Sequence, residues 1–179
     1  MRIGLDLDDT ICSTDKIIRK YVDNYCKKNK ITVDELWSNE ESKKDFLTNN
    51  LEKVYLEAKI KRGVKTTLKK LKKDGHKLYI ITARTNKYIK KDMKHFINEY
   101  LNRNNIFVDD IFIDAKDKVD ICINKKIDII LEDNLYNFNL LNDNGINAIL
   151  YDENNNHKTI DNRIIKWSSF INIIKNNGL

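Results

Sequence analysis

Four short polar clusters, far apart in sequence, hold the residue types that could do chemistry. They are Asp6, Asp8, Asp9 and Thr10; Thr82 with Ala83 and Arg84; Lys118; and Glu132-Asp133. Burying one carboxylate is costly and burying several together costs more, so acids that converge call for a cation or a reaction partner. A hydroxyl and an ammonium beside them suit an anion. Each cluster also has a plainer reading. Asp8-Asp9-Thr10 and Glu132-Asp133-Asn134 are good turn and cap sequences, and Thr82 could cap the helix after it. Lys118 is one of many lysines, with Lys116 close by. The joint occurrence in this order is the specific signal.

Those clusters need elements that carry them to one place. Ile3-Gly4-Leu5 is short and apolar, as expected of a strand buried on both faces of a parallel sheet. Lys77 to Ile81 reads as a strand ending at Thr82, Ile111-Phe112-Ile113 as a brief strand, Ile127 to Leu131 as a strand ending at Glu132, and Ile146 to Tyr151 as the last. Between them the apolar period lengthens to that of helices. Val64, Leu68 and Leu71 form one, stopped at Asp74-Gly75. Tyr88, Ile89, Met93, Phe96, Ile97, Tyr100 and Leu101 mark another. Further helices run from about Asp117 to Lys126 and from Leu135 to Asn144, and a C-terminal one carries Ile164, Ile165, Trp167, Phe170, Ile171 and Ile174. Alternating strand and helix predict an α/β fold, a Rossmann-like parallel sheet with helices on both faces, whose ligand crevice lies beyond the carboxyl ends of the strands.

One stretch breaks the alternation. Ile17, Ile18, Tyr21, Val22 and Tyr25 recur at helical spacing; Thr32 to Glu35 matches a capping box ahead of Leu36 and Trp37; Phe46 to Leu56 is helical again. No strand is expected from Lys16 to Ile60, and Gly63 reads as a break. The block is too long for an ordinary connection. It is expected to be a small helical cap, residues 16–63, inserted after the first strand into an α/β core of residues 1–15 and 64–179.

Composition narrows the class. A chain of 179 residues, 41% hydrophobic and 34% charged, suits one well-packed domain with an insertion. No apolar run approaches the ~20 residues of a membrane span, and the N-terminus enters a strand directly rather than through a signal peptide. Cys12, Cys26 and Cys122 are odd in number and widely spaced, so reduced thiols and a cytoplasmic location are expected. His76, His95 and His157 share no spacing and read as surface residues. The net charge of +6 is spread over lysine pairs on polar helix faces, which makes a nucleic-acid partner the weaker reading and a phosphorylated small molecule an open one.

With those residues in view, the chain resembles the haloacid dehalogenase superfamily of aspartate-nucleophile phosphatases. Asp6-x-Asp8-x-Thr10, Thr82, Lys118 and Glu132-Asp133 match its four motifs in order, over nearly the whole chain, and the insertion stands where a type 1 cap stands. Tyr79 to Arg84, Lys118 to Cys122, and Ile149 to Asp152 followed by Asn154-Asn155-Asn156 look most like the 5'(3')-deoxyribonucleotidase and 5'-nucleotidase group. Two positions depart: Asp9 occupies a place where many members have Gly, and Glu132 replaces the first Asp of a common Asp-Asp pair.

The resemblance implies a Mg²⁺-dependent phosphoric monoester hydrolase acting on a small phosphorylated substrate, a (deoxy)nucleoside monophosphate or, as the alternative, a sugar phosphate or other metabolite. Asp6 would be the nucleophile and Asp8 the general acid/base. Thr82, Ala83 and Lys118 would bind phosphate, and Asp6, Asp8, Asp133 and Glu132 would form the metal site. Tyr21, Trp37, Phe46 and Tyr55 would either stack on a base or form the core of the cap. Arg84 would steer substrate or sit at the surface. Two other classes compete. A receiver domain would place its phosphorylated Asp after the third strand and have no helical insertion after the first. A basic nucleic-acid-binding protein would cluster its lysines on one face.

Overall fold

The computed structural model describes residues 1–177. In chain order its elements are β1 (Arg2–Leu5), β2 (Cys12–Ser13), α1 (Asp15–Asn29), α2 (Val33–Ser38), α3 (Glu40–Glu57), β3 (Lys59–Ile60), α4 (Val64–Lys73) and β4 (Lys77–Ile81). They continue with a 3₁₀ turn (Asn86–Tyr88), α5 (Met93–Arg103), β5 (Asp110–Phe112), α6 (Lys118–Lys125), β6 (Ile129–Glu132), α7 (Leu135–Asp143), β7 (Ala148–Tyr151), β8 (Arg163–Ile164) and α8 (Trp167–Asn177).

Six strands form one sheet in the order β5-β4-β1-β6-β7-β8, and every pairing in it is parallel. The period of two along each strand divides the side chains between two cores. Ile3, Leu5, Leu78, Ile80, Ile129 and Leu131 point to the face covered by Leu68 of α4, Phe96 of α5 and Phe170 of α8. Ile81, Ile130, Ala148 and Leu150 point to the other, against Val119 and Cys122 of α6 and Phe138 and Leu141 of α7. β1 lies centrally, between β4 and β6, and Gly4 is what lets its second face close: a Cβ there would stand 3.1 Å from Ile130 Cγ1 and 3.2 Å from Ile127 Cγ2.

Helices α1 to α3 form a block between β2 and β3, with its own small core of Val22, Cys26, Leu36 and Phe46. The capping box at Thr32 is complete, since Thr32 Oγ1 accepts from the Glu35 amide at 3.1 Å while Glu35 accepts from the Thr32 amide at 2.6 Å. Leu51, Val54, Tyr55 and Ala58 of the α3 side join the main core, which seats the block on the sheet domain.

Three expectations are corrected. A short strand does lie within the helical stretch: Lys59–Ile60 pairs antiparallel with Cys12–Ser13, a ribbon too short to show a period. Helix α5 starts at Met93, not near Tyr88, because Asp92 caps it by accepting from the His95 amide at 2.7 Å, and Tyr88 and Ile89 precede that cap. Ile164 belongs to β8, paired with Tyr151, and α8 begins at Trp167.

Candidate active site

Parallel pairing brings the carboxyl ends of β1, β4 and β6 to one edge of the sheet. Asp6 follows β1, and its amide donates to Leu131 O at 2.9 Å, so it is locked to the strand that carries Glu132. Lys118, first residue of α6, reaches this edge from outside the sheet. Its Nζ donates to Asp6 Oδ1 at 2.5 Å and to Glu132 Oε2 at 2.5 Å, with all three side chains buried. The other Glu132 oxygen accepts from the Asn134 amide at 3.0 Å. Burial alone would discharge Lys118, but Asp6 and Glu132 more than offset it and hold the ammonium above its ordinary range.

Asp8 sits on the same turn. Arg84 grips it along one edge of the guanidinium, Nε at 3.0 Å from Oδ2 and Nη2 at 2.7 Å from Oδ1, and Thr14 Oγ1 donates to Oδ1 at 2.5 Å. Burial raises the Asp8 carboxyl, yet the Arg84 charge and hydrogen bonds with that of Thr14 prevail, leaving it below the usual carboxylate range. Arg84 is neither at the surface nor free. It is 2% exposed, and Tyr55 of α3 covers it with the ring centroid 3.7 Å from Cζ. That pair is the feature sequence reasoning missed, although an Arg directly after a buried strand end was its signal.

The turn-and-cap reading of the first cluster holds for Asp9. Asp9 adopts φ +56°, the left-handed conformation that explains why glycine is common there in the superfamily it resembles. Its carboxylate accepts from the Thr14 amide at 3.1 Å and the Asp15 amide at 2.9 Å, so it caps α1, whose Thr14 makes no side-chain cap of its own. Thr10 is buried, and its Oγ1 donates to Asp133 Oδ1 at 3.1 Å while its carbonyl accepts from Trp167 Nε1 at 3.0 Å.

Thr82 follows β4 and is buried, but it does not cap a helix: its Oγ1 accepts from the Arg84 amide at 3.3 Å. Ala83 beside it is exposed. Lys116 makes no approach to the acids that Lys118 bridges among the described residues. Of the aromatics, Phe46 is enclosed between Tyr25 and Trp37, at centroid distances of 5.3 and 5.8 Å, and so is core of the helical block. Tyr21 donates to Glu57 at 2.5 Å. Beside Asp133 opens a cavity of about 500 Å³ lined by Ser13, Lys16, Lys61, Asn154, Asn156 and His157 among others. Tyr151 also lines its wall, and Lys61 Nζ lies over that ring at 4.9 Å from its centroid.

The donor set fits a hard divalent cation. Asp6, Glu132 and Asp133 each present an oxygen within 4.8 Å of the others, and Lys118 offsets only one of the three charges. The excess is visible in the acids themselves. Burial, only partly offset by Lys118, and the neighbouring carboxylates hold Asp6 well above its ordinary value. Burial with Glu132 and Asp9 nearby pushes Asp133 up to about 7. An all-oxygen set with unmet negative charge suits Mg²⁺. Asp6 and Asp133 accept from Lys118 and Thr10 through Oδ1, whereas both Glu132 oxygens accept, from Lys118 and the Asn134 amide.

The sheet order, the polar strand ends and the helical insertion define a class before any particular relative, and the protein has the haloacid dehalogenase-like α/β fold. The haloacid dehalogenase-like hydrolase SP0104 from Streptococcus pneumoniae superposes with a TM-score of 0.72 at 15% identity, covering 97% of each chain. A structure described as a predicted phosphatase from Clostridium acetobutylicum also gives 0.72, at 18% identity over 98% of each chain. A HAD phosphatase from Thermococcus onnurineus gives 0.67 at 16% identity, again over 97% of each. In sequence, the chain is 28% identical over 192 residues to "Putative nucleotidase YqfW" of Bacillus subtilis strain 168, covering 98% of this chain and 92% of that protein. No family model matches the chain.

Proposed function

We propose that this protein is a Mg²⁺-dependent phosphatase of small phosphate monoesters, with a (deoxy)nucleoside monophosphate as its first candidate substrate. The observation that carries the proposal is the bridge of Lys118 Nζ between Asp6 and Glu132, with Asp133 completing a three-carboxylate set at the same sheet edge. A nucleotide is preferred because the curated relative carries a nucleotidase name.

In this reading residues 16–63 are a cap over the site. Asp6 Oδ attacks phosphorus as the ester oxygen leaves, giving an aspartyl phosphate; water then releases inorganic phosphate and regenerates the carboxylate. Lys118 and Thr82, with the backbone at Ala83, hold the phosphoryl oxygens as charge shifts among them. Asp8 gives a proton to the leaving oxygen and takes one from the attacking water. Its ionised state beside Arg84 suits the second task as the site stands. Asp6 and Asp133, with the Asp8 carbonyl, would hold Mg²⁺, and Glu132 would hold Lys118 in place. The bound ion would offset the repulsion between a carboxylate and a phosphate dianion.

The polar lining of the cavity beside Asp133 favours a second reading within the same chemistry, a sugar phosphate or similar polar metabolite. A panel of monophosphates, assayed for phosphate release with Mg²⁺ and with chelator, separates the two. Release that requires the metal and vanishes in Asp6→Asn is the expected result. Undiminished release by that variant, or none from any ester, would remove the proposal.

A further inference from the structure

Arg84 spends a buried charge on one carboxylate and one ring. Its Nε and Nη2 both face Asp8, and the remaining nitrogen, Nη1, is buried with no hydrogen-bond partner. An unmet buried donor is costly, so the side chain is not placed to satisfy itself. The face of the guanidinium lies against Tyr55, which comes from α3 in the helical block and not from the sheet domain. Other contacts fix α3 at that spot. Tyr100 Oη of α5 donates to Ala58 O at 2.5 Å, and Lys91 pairs with Glu52 at 2.7 Å. Asp8 itself is a third exposed as a side chain, and without Arg84 its carboxylate would keep only the Thr14 hydroxyl as a side-chain tether.

We propose that Arg84 is a positioning residue that ties Asp8 to the helical block: Tyr55 holds the guanidinium flat, and the guanidinium holds Asp8 at the sheet edge only while α3 is seated. This rests on the role given to Asp8 above. Proton transfer is then available only in the assembled arrangement, while phosphate binding through Lys118 does not depend on Tyr55. Loss of the ring face therefore acts on turnover and spares substrate binding.

The test compares kcat and KM for Tyr55→Leu, Tyr55→Phe and Arg84→Lys. Loss of the buried cation–ring contact in Tyr55→Leu should lower kcat about tenfold, with KM held within about twofold. Tyr55→Phe, which keeps the ring, should recover most of that loss. Arg84→Lys, which keeps the charge and loses the fork, should fall further than Tyr55→Leu. Tyr55→Met stands in if the leucine variant does not fold. A change confined to KM, or equal losses for Leu and Phe, overturns the proposal. A second readout needs no substrate: the Tm shifts of Tyr55→Leu and Asp8→Asn should be non-additive in the double variant, and additive shifts would refute the link. A parent protein that releases no phosphate defeats the phosphatase reading, and the Tm cycle still decides the tie between Tyr55 and Asp8.

Discussion

Asp6 and Asp133 hold protons more tightly in the folded chain than when unfolded, because burial and repulsion from neighbouring carboxylates disfavour their charge. A carboxyl raised on folding makes the native state bind more protons, so its stabilising effect is full at low pH and is lost as pH rises through the folded value. For Asp133 that value is about 7. Asp8 works in the opposite sense, lowered on folding, and its contribution is lost only on acidification through the carboxylate range. The metal-free protein should therefore melt at lower temperature at about pH 8 than at about pH 6. In the proposed function Mg²⁺ would bind the deprotonated acids, and it should then raise Tm more at the higher pH. Thermal melts across that range, with and without Mg²⁺, check both statements. A metal-induced shift that does not change with pH would count against Asp133 as a ligand.

At the scale of elements, Asp9 sets the turn between β1 and β2 through two opposed effects. Its left-handed backbone is strained for a residue with a Cβ, and its carboxylate satisfies the N-terminus of α1. Asp9→Ala keeps the strain and loses the cap, so it should destabilise by about 1–2 kcal/mol. Asp9→Gly loses the cap and the strain together and should come out nearer neutral. Urea denaturation of the two variants gives the ordering. Among the helices, the boundary at Thr32 was legible because both partners of its capping box lie within one turn. The start of α5 was misplaced because Tyr88 and Ile89 continue the apolar spacing through a 3₁₀ turn, and the Asp92 cap resets the helix after them. Hydrophobic spacing reports which face is apolar and does not report where the backbone turns.

Across the whole molecule, the site depends on the far end of the chain. Trp167, at the start of α8, is 1% exposed, and its indole N–H donates to the Thr10 carbonyl. Thr10 in turn orients Asp133. Trp167→Phe keeps most of the buried ring and leaves that carbonyl without its donor, at a cost of about 1–3 kcal/mol. It should also weaken Mg²⁺ binding, read by calorimetry, while Tyr136→Phe, at an exposed position on α7, should change neither stability nor metal binding. Lys61, just after β3, reaches the loop after β7 through Glu153 at 2.6 Å, and the β2–β3 pairing holds the two ends of the helical block together.

Sequence by itself determined the alternation of strand and helix, the run of helices between the first two polar clusters, and the order of the four polar clusters, because each is written in local periodicity and in residue type at a strand end. It also brought Asp6, Lys118, Glu132 and Asp133 under suspicion together. Only the tertiary structure decided that Arg84 grips Asp8 beneath Tyr55, that Asp9 caps α1 rather than joining the acids, and that Trp167 supports Thr10. Apart from the Asp9 cap, which a left-handed turn folds back on the chain, these are pairings between residues distant in sequence. The period of a segment shows which side it buries, and the partner on that side is chosen only when the sheet is assembled.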